Sequence, residues 1–124
     1  MASAVDTAVI VVIGVFFLGM GGYALAAPGA LVRPFGITLG QSTSRSEVRA
    51  VYGGFGLAMA AVLAYAAVDA ANRTGIVLTV AAALAGMASG RLVAAVVDSR
   101  TPLYPNWFYF GVEAVAAGAL LTAA

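Results

Sequence analysis

The chain of 124 residues contains no cysteine, no histidine and no lysine. The first two absences remove disulfides, thiol nucleophiles and the usual ligands of zinc, haem and iron–sulfur clusters. The third leaves six arginines against five acids and a net charge of +1. That balance offers no basic surface for nucleic acid. No nucleophile–base pair, Gly-rich phosphate loop or metal-ligand set stands at a recognisable spacing either. An enzyme is therefore not expected, and neither is a cofactor. Charge of any sign is scarce, at 9% of residues, while 63% are hydrophobic. With a mean hydropathy of +1.02, the chain falls outside the range of a soluble domain.

What is present is a succession of long apolar runs. Four spans of about 20 residues each would use most of the chain. We expect an all-α fold, an integral membrane bundle of four transmembrane helices in one domain covering 1–124. The spans are expected at about 5–27, 44–69, 75–97 and 105–123, with an interfacial loop at 28–43. Pro28 stops the first run. Ala24-Leu25-Ala26 followed by Ala27-Pro28 has the form of a signal-peptidase site, but Asp6 and the lack of any basic residue ahead of the run favour an uncleaved helix. Ser44 and Glu47 have the S-x-x-E spacing of a capping box. Asn72-Arg73-Thr74-Gly75 reads as a tight turn. Pro105 suits the first turn of the last helix, and Tyr104, Trp107, Phe108 and Tyr109 form an aromatic belt segment. Loops 28–43 and 98–104 carry Arg33, Arg45 and Arg100, with Arg49 just inside the second helix, whereas the side of the termini has only Arg73. The positive-inside rule puts those loops in the cytoplasm and both termini outside.

Small residues recur at intervals of four. Ala82, Gly86, Gly90 and Ala94 mark one stripe, Gly56, Ala60 and Ala64 a second, and Ala114, Gly118 and Thr122 a third. Such stripes let membrane helices approach closely, either within the bundle or against a second copy or a partner. Gly53-Gly54 invites close approach or a bend. Bulky Val, Ile and Phe make the first helix the expected lipid-facing span. Met20, Met59 and Met87 are scattered and read as packing.

Two charges stand deep inside apolar runs, Arg91 in the third and Glu113 in the fourth. A charge at the bilayer centre costs at least about 2.5 kcal/mol, so it is normally paired, hydrated or functional. Arg91 precedes Asp98 by roughly 10 Å of helix, and Glu113 follows Trp107 by roughly 9 Å, at 1.5 Å per residue. Glu47 and Arg49 start the second helix at the same end. The expected cluster is Arg91 bridging Glu113 and Glu47, with Arg49 nearer the headgroups and the Tyr52 hydroxyl above. It serves either as an internal ion pair that sets which helix faces meet, or as the lining of a cavity that binds a polar head or moves a proton.

The string Glu47-Val48-Arg49-Ala50-Val51-Tyr52-Gly53-Gly54, followed by Gly90-Arg91-Leu92, resembles the DUF4345 family of small four-helix bacterial membrane proteins. The likeness spans nearly the whole chain. It implies a multi-pass protein of the bacterial plasma membrane and a shared polar site of Glu47, Arg49, Tyr52, Gly53, Gly54, Arg91 and Glu113, but no activity, since the family is uncharacterised. Two functions fit. The first is a non-enzymatic accessory or structural subunit of a larger membrane complex, such as a lipid-transport or respiratory assembly. The second is an independent binder or carrier of a small molecule, lipid head group or proton. Membrane lipids are the expected surroundings in both cases, and a homo-oligomer fits either.

Overall fold

The computed structural model describes residues 3–98 and 103–124. Arg100, read above as part of the third loop, lies outside the described residues. Secondary structure in the described residues is helical, without a strand. Helix α1 (Ala4–Ala26) starts at a capping box that the sequence reading had not found. The Asp6 N–H donates to Ser3 Oγ at 3.0 Å, and the Ser3 N–H donates to Asp6 Oδ2 at 3.3 Å. The box expected at Ser44 and Glu47 does not form. That helix, α3 (Ser42–Val48), begins behind Gln41 without a side-chain cap bond, so Ser44 already lies inside it and cannot serve as the capping residue.

Pro28 lacks the N–H that would continue α1. The chain turns there into the short α2 (Pro28–Val32) and a 3-10 turn, Arg33–Phe35. Gly36, at φ 75°, then takes a left-handed conformation that favours glycine. The expected interfacial loop is therefore partly helical, and Val32 within it is buried. After α3 the backbone widens into a π turn, Arg49–Gly54, and tightens again into α4 (Phe55–Val68). Asp69 to Asn72 turn the chain into α5 (Arg73–Val97). A wide, irregular segment, Leu103–Trp107, leads to α6 (Phe108–Ala123). Tyr104 is extended there, at φ −110° and ψ 133°, as the residue before a proline prefers. Regular α-helix thus begins at Phe108, not at Pro105.

Three helices are long and apolar enough to cross a membrane: Ala4–Ala26, Ser42–Val68 and Arg73–Val97. The 16 residues of α6 rise only about 24 Å by themselves. Packing places α1 at the centre, against α4 and α6, while α5 lies on α6 and α4. This corrects the expectation of a lipid-facing first helix. Ile10, Ile13 and Phe17 enter the core beside Leu63, Val77, Val80, Leu84 and Leu120. The cause is a glycine face on α1. A Cβ on Gly21 would come within 2.8 Å of the Gly53 carbonyl oxygen and the Leu57 nitrogen, and one on Gly56 within 2.9 Å of the Gly21 Cα. The two backbones touch, and Ile10, Ile13 and Phe17 are carried inward, while Val11, Val12, Val15, Phe16 and Leu18 stay exposed.

The small-residue stripes on α5 and α6 face the other way. Gly86, Gly90 and Gly118 have open space where a Cβ would stand, and Ala82, Ala114 and Thr122 are exposed. Larger side chains claim the inner faces: Val77, Ala81, Leu84 and Ala88 on α5, and Ala117 and Leu120 on α6. Burying them fills more volume than burying glycine, so both helices turn that way. Gly54 likewise packs on nothing outside its own turn, its nearest contact being the Arg49 carbonyl at 3.9 Å, whereas Gly53 meets the Leu25 side chain.

Candidate functional site

The inner stripe of α5 continues from Ala81, Leu84 and Ala88 to Arg91, and that of α6 begins at Glu113 ahead of Ala117 and Leu120. Spacings of three and four keep each set on one helix face. Packing α5 on α6 therefore brings the arginine to the glutamate. Arg91 Nε donates to Glu113 Oε1 at 2.7 Å and Nη2 donates to Oε2 at 3.0 Å. This is a two-pronged pair of charge-assisted bonds. The side chains are 22% and 6% exposed.

Aromatic rings enclose the cationic side. The guanidinium carbon lies 5.6 Å from the centre of the Phe35 ring and 5.7 Å from that of Tyr109. These two rings are themselves 5.5 Å apart, and Tyr104 stands 6.2 Å from Tyr109. Cation–π attraction of this kind supplies about 0.5–2 kcal/mol per contact. Neither Phe35 nor the Tyr104–Tyr109 pair was singled out in the sequence for this role. Tyr109 stands four residues before Glu113, on the same helix face, and that signal was readable. Phe35 carried none, because it arrives through the fold of α2 and the turn after it.

The ion pair forms part of the wall of a cavity of about 480 Å³. Tyr23, Phe35, Tyr52, Met87, Tyr104 and Tyr109 also line it, and Ala30 to Val32 with Pro34 close it on the loop side. Its size falls within the range of about 300–1,000 Å³ that holds small ligands. Arg91 Nη1 has no acceptor among the described residues, and no buried side-chain nitrogen or oxygen is left without a partner. Each oxygen of Glu113 accepts one bond from Arg91.

The other expected members of the cluster divide. Tyr52 joins the cavity wall. Glu47 is exposed and makes no bridge to Arg91, a correction to the expected triad: it sits at the start of the second span, beyond the reach of α5. Arg49 does not pair with an acid either. Its Nε donates to the Leu25 carbonyl at 3.0 Å, an oxygen freed where Pro28 ends α1. A cation on the last carbonyls of a helix is favourable in both hydrogen bonding and dipole terms. The whole Glu47–Gly54 string spans the end of α3 and the π turn. Arg49 and Gly53 within it both meet Leu25, so this segment fastens the second span to the end of the first. Among the described residues there is no group of three or more acidic side chains positioned to hold a metal.

The model of the family described as a domain of unknown function, DUF4345, matches residues 5–124. The chain is a DUF4345 protein. No curated protein and no solved structure matches it. In this DUF4345 chain the cavity, the ion pair and the π turn are thus the available guides to function.

Proposed function

We propose that this DUF4345 protein is a binder of a small amphiphile in the membrane, with the cavity at Arg91 and Glu113 as its site. We read it as a four-span protein of the bacterial plasma membrane. Residues 103–107 lengthen the last span, loops 28–43 and 98–104 face the cytoplasm, and both termini lie outside. The supporting observation is a two-pronged ion pair set in the wall of an aromatic-lined cavity of about 480 Å³. An ion pair needed for packing alone is better satisfied by apolar surroundings or by further bonds to its remaining N–H groups.

Native mass spectrometry of the full chain released from mild detergent tests this reading. The wild type is expected to carry a bound amphiphile. Gly19→Leu is expected to lose it, because Gly19 lines the cavity and a Cβ there meets nothing within 4 Å. A wild type that emerges empty, or a Gly19→Leu variant that retains the same load, would overturn the proposal.

A second reading, an accessory subunit of a larger membrane complex or a homo-oligomer, draws on one observation. Gly86, Gly90 and Gly118 leave room for another backbone and meet none in the chain itself. A partner co-purifying in fixed stoichiometry with the wild type, and lost from Gly86→Leu, would favour it. Arrival as a monomer would count against it.

A further inference from the structure

The cavity does not end at the ion pair. A second, wholly apolar groove of about 790 Å³ lies between α1 and α6. Phe16, Phe17, Leu84 and Val112 line both spaces, so the two adjoin. From Phe17 to Val5 the groove follows α1 for about 18 Å, at 1.5 Å per residue. No polar side chain lines it.

On the strength of the amphiphile-binding reading, we propose that the occupant is an isoprenoid quinone, its head against Arg91 and its tail in the groove between α1 and α6. Three features select this chemistry. First, the site is neutral as built, since Arg91 and Glu113 cancel. An anionic head would introduce an uncompensated charge into a low-dielectric space, which is costly. Fatty acids and anionic phospholipids are disfavoured on that ground. Second, the wall offers hydrogen-bond donors to the head: the Arg91 guanidinium and the hydroxyls of Tyr23, Tyr52, Tyr104 and Tyr109. Quinone carbonyls only accept. Third, the walls are aromatic and favour a planar ring, and the adjoining groove is shaped for a long unbranched or methyl-branched chain. The groove adjoins the polar cavity across Phe16, Phe17, Leu84 and Val112, which separates it from ordinary lipid contact around a membrane protein.

The test uses the full chain in phosphatidylcholine nanodiscs with a benzoquinone probe that carries a ten-carbon tail ending in a diazirine. After photolysis, peptide mapping locates the label. The expected result is labelling of α1 and α6 residues of the groove, such as Val12 and Val115, reduced at least tenfold by excess unlabelled decylubiquinone. Gly111→Leu should cut the groove labelling several-fold, because Gly111 lines the groove and a Cβ there meets nothing within 4 Å, so a side chain can enter and narrow the path. Label spread over all outward helix faces and insensitive to competitor would overturn the tail assignment. Competition by monoolein or oleate equal to that by decylubiquinone would overturn the quinone assignment while leaving the amphiphile site standing. Absence of any competed labelling, together with an empty wild type in native mass spectrometry, would overturn the cavity reading itself.

Discussion

Truncating Arg91 leaves Glu113, with its side chain only 6% exposed, without its sole ion-pair partner among the described residues. Breaking a buried pair from one side typically costs about 3–5 kcal/mol. Arg73 is a useful contrast, since its Nε and Nη2 donate only to the Ala66 and Ala67 carbonyls at the end of α4. Arg91→Ala is therefore expected to lower the thermal midpoint in detergent more than Arg73→Ala, and equal midpoints would contradict this. Replacing both charges, as in Arg91→Met with Glu113→Leu, should restore most of the loss, because apolar pairs of similar volume substitute well for buried ions. At the opposite end of the molecule, the Asp69 carboxyl is held below its ordinary value near 3.8 by hydrogen bonds from Tyr65 first and Asn72 second. A lowered value means that its stabilising contribution is complete above about pH 4 and fades as pH falls through the lowered value. The gap in melting temperature between the wild type and Asp69→Asn should accordingly be full at neutral pH and close on acidification below pH 4. A gap independent of pH would show that the carboxylate charge is not what matters.

Helix–helix contact in this chain depends on which glycine is asked to carry a side chain. A Cβ at Gly21 or Gly56 would stand within 3 Å of backbone atoms of the other helix, whereas one at Gly86 meets open space. Backbone cannot rotate aside as a side chain can, so α1 and α4 must separate. Overpacking of this kind costs about 1–3 kcal/mol. Gly21→Ala and Gly56→Ala are expected to unfold earlier in a denaturing-detergent titration, and Gly86→Ala at the wild-type point or slightly later, since alanine is the better helix former. The same contact explains the need for Arg49. Once α1 is drawn against the π turn, the Arg49 side chain lies within reach of its last turn and donates to the Leu25 carbonyl.

For the molecule as a whole, the absence of cysteine is an experimental advantage, because any introduced thiol is unique. In the proposed topology Ser3 and Asn72 stand at one membrane face and Gln41 at the other. Ser3→Cys and Asn72→Cys are expected to react with an impermeant maleimide added to intact cells. Gln41→Cys should react only after the membrane is opened. Reaction of all three from the same side would contradict a single crossing between Ser3 and Gln41 and between Gln41 and Asn72. The stacking of α2 and the Arg33–Phe35 turn over the cavity also predicts that ligand protects this end of the chain. Gln41→Cys should label more slowly once the cavity is occupied if the segment tightens around its contents, and an unchanged rate would mean that it stays fixed.

Helical character and apolar spans of membrane length were legible in the sequence because hydropathy and helix rise accumulate residue by residue. The family string was legible for the same reason, as was the similar depth of Arg91 and Glu113, which counting along each helix provides. Rotation about the helix axes was not. Whether α5 turns Gly86 or Leu84 inward, whether α1 is central or peripheral, and whether Glu47 joins Arg91 or stands in solvent depend on volume matched across several helices at once. The small-residue spacing, a sound guide to close approach, pointed correctly to Gly56, but equally to α5 and α6, and it passed over Gly21, the partner across the contact. The cavity is a product of tertiary structure altogether. Phe35, Tyr52 and Tyr109 come from three separate segments, and only their convergence on one cavity, with Phe35 and Tyr109 on the guanidinium itself, turns a charge inside an apolar run into a site.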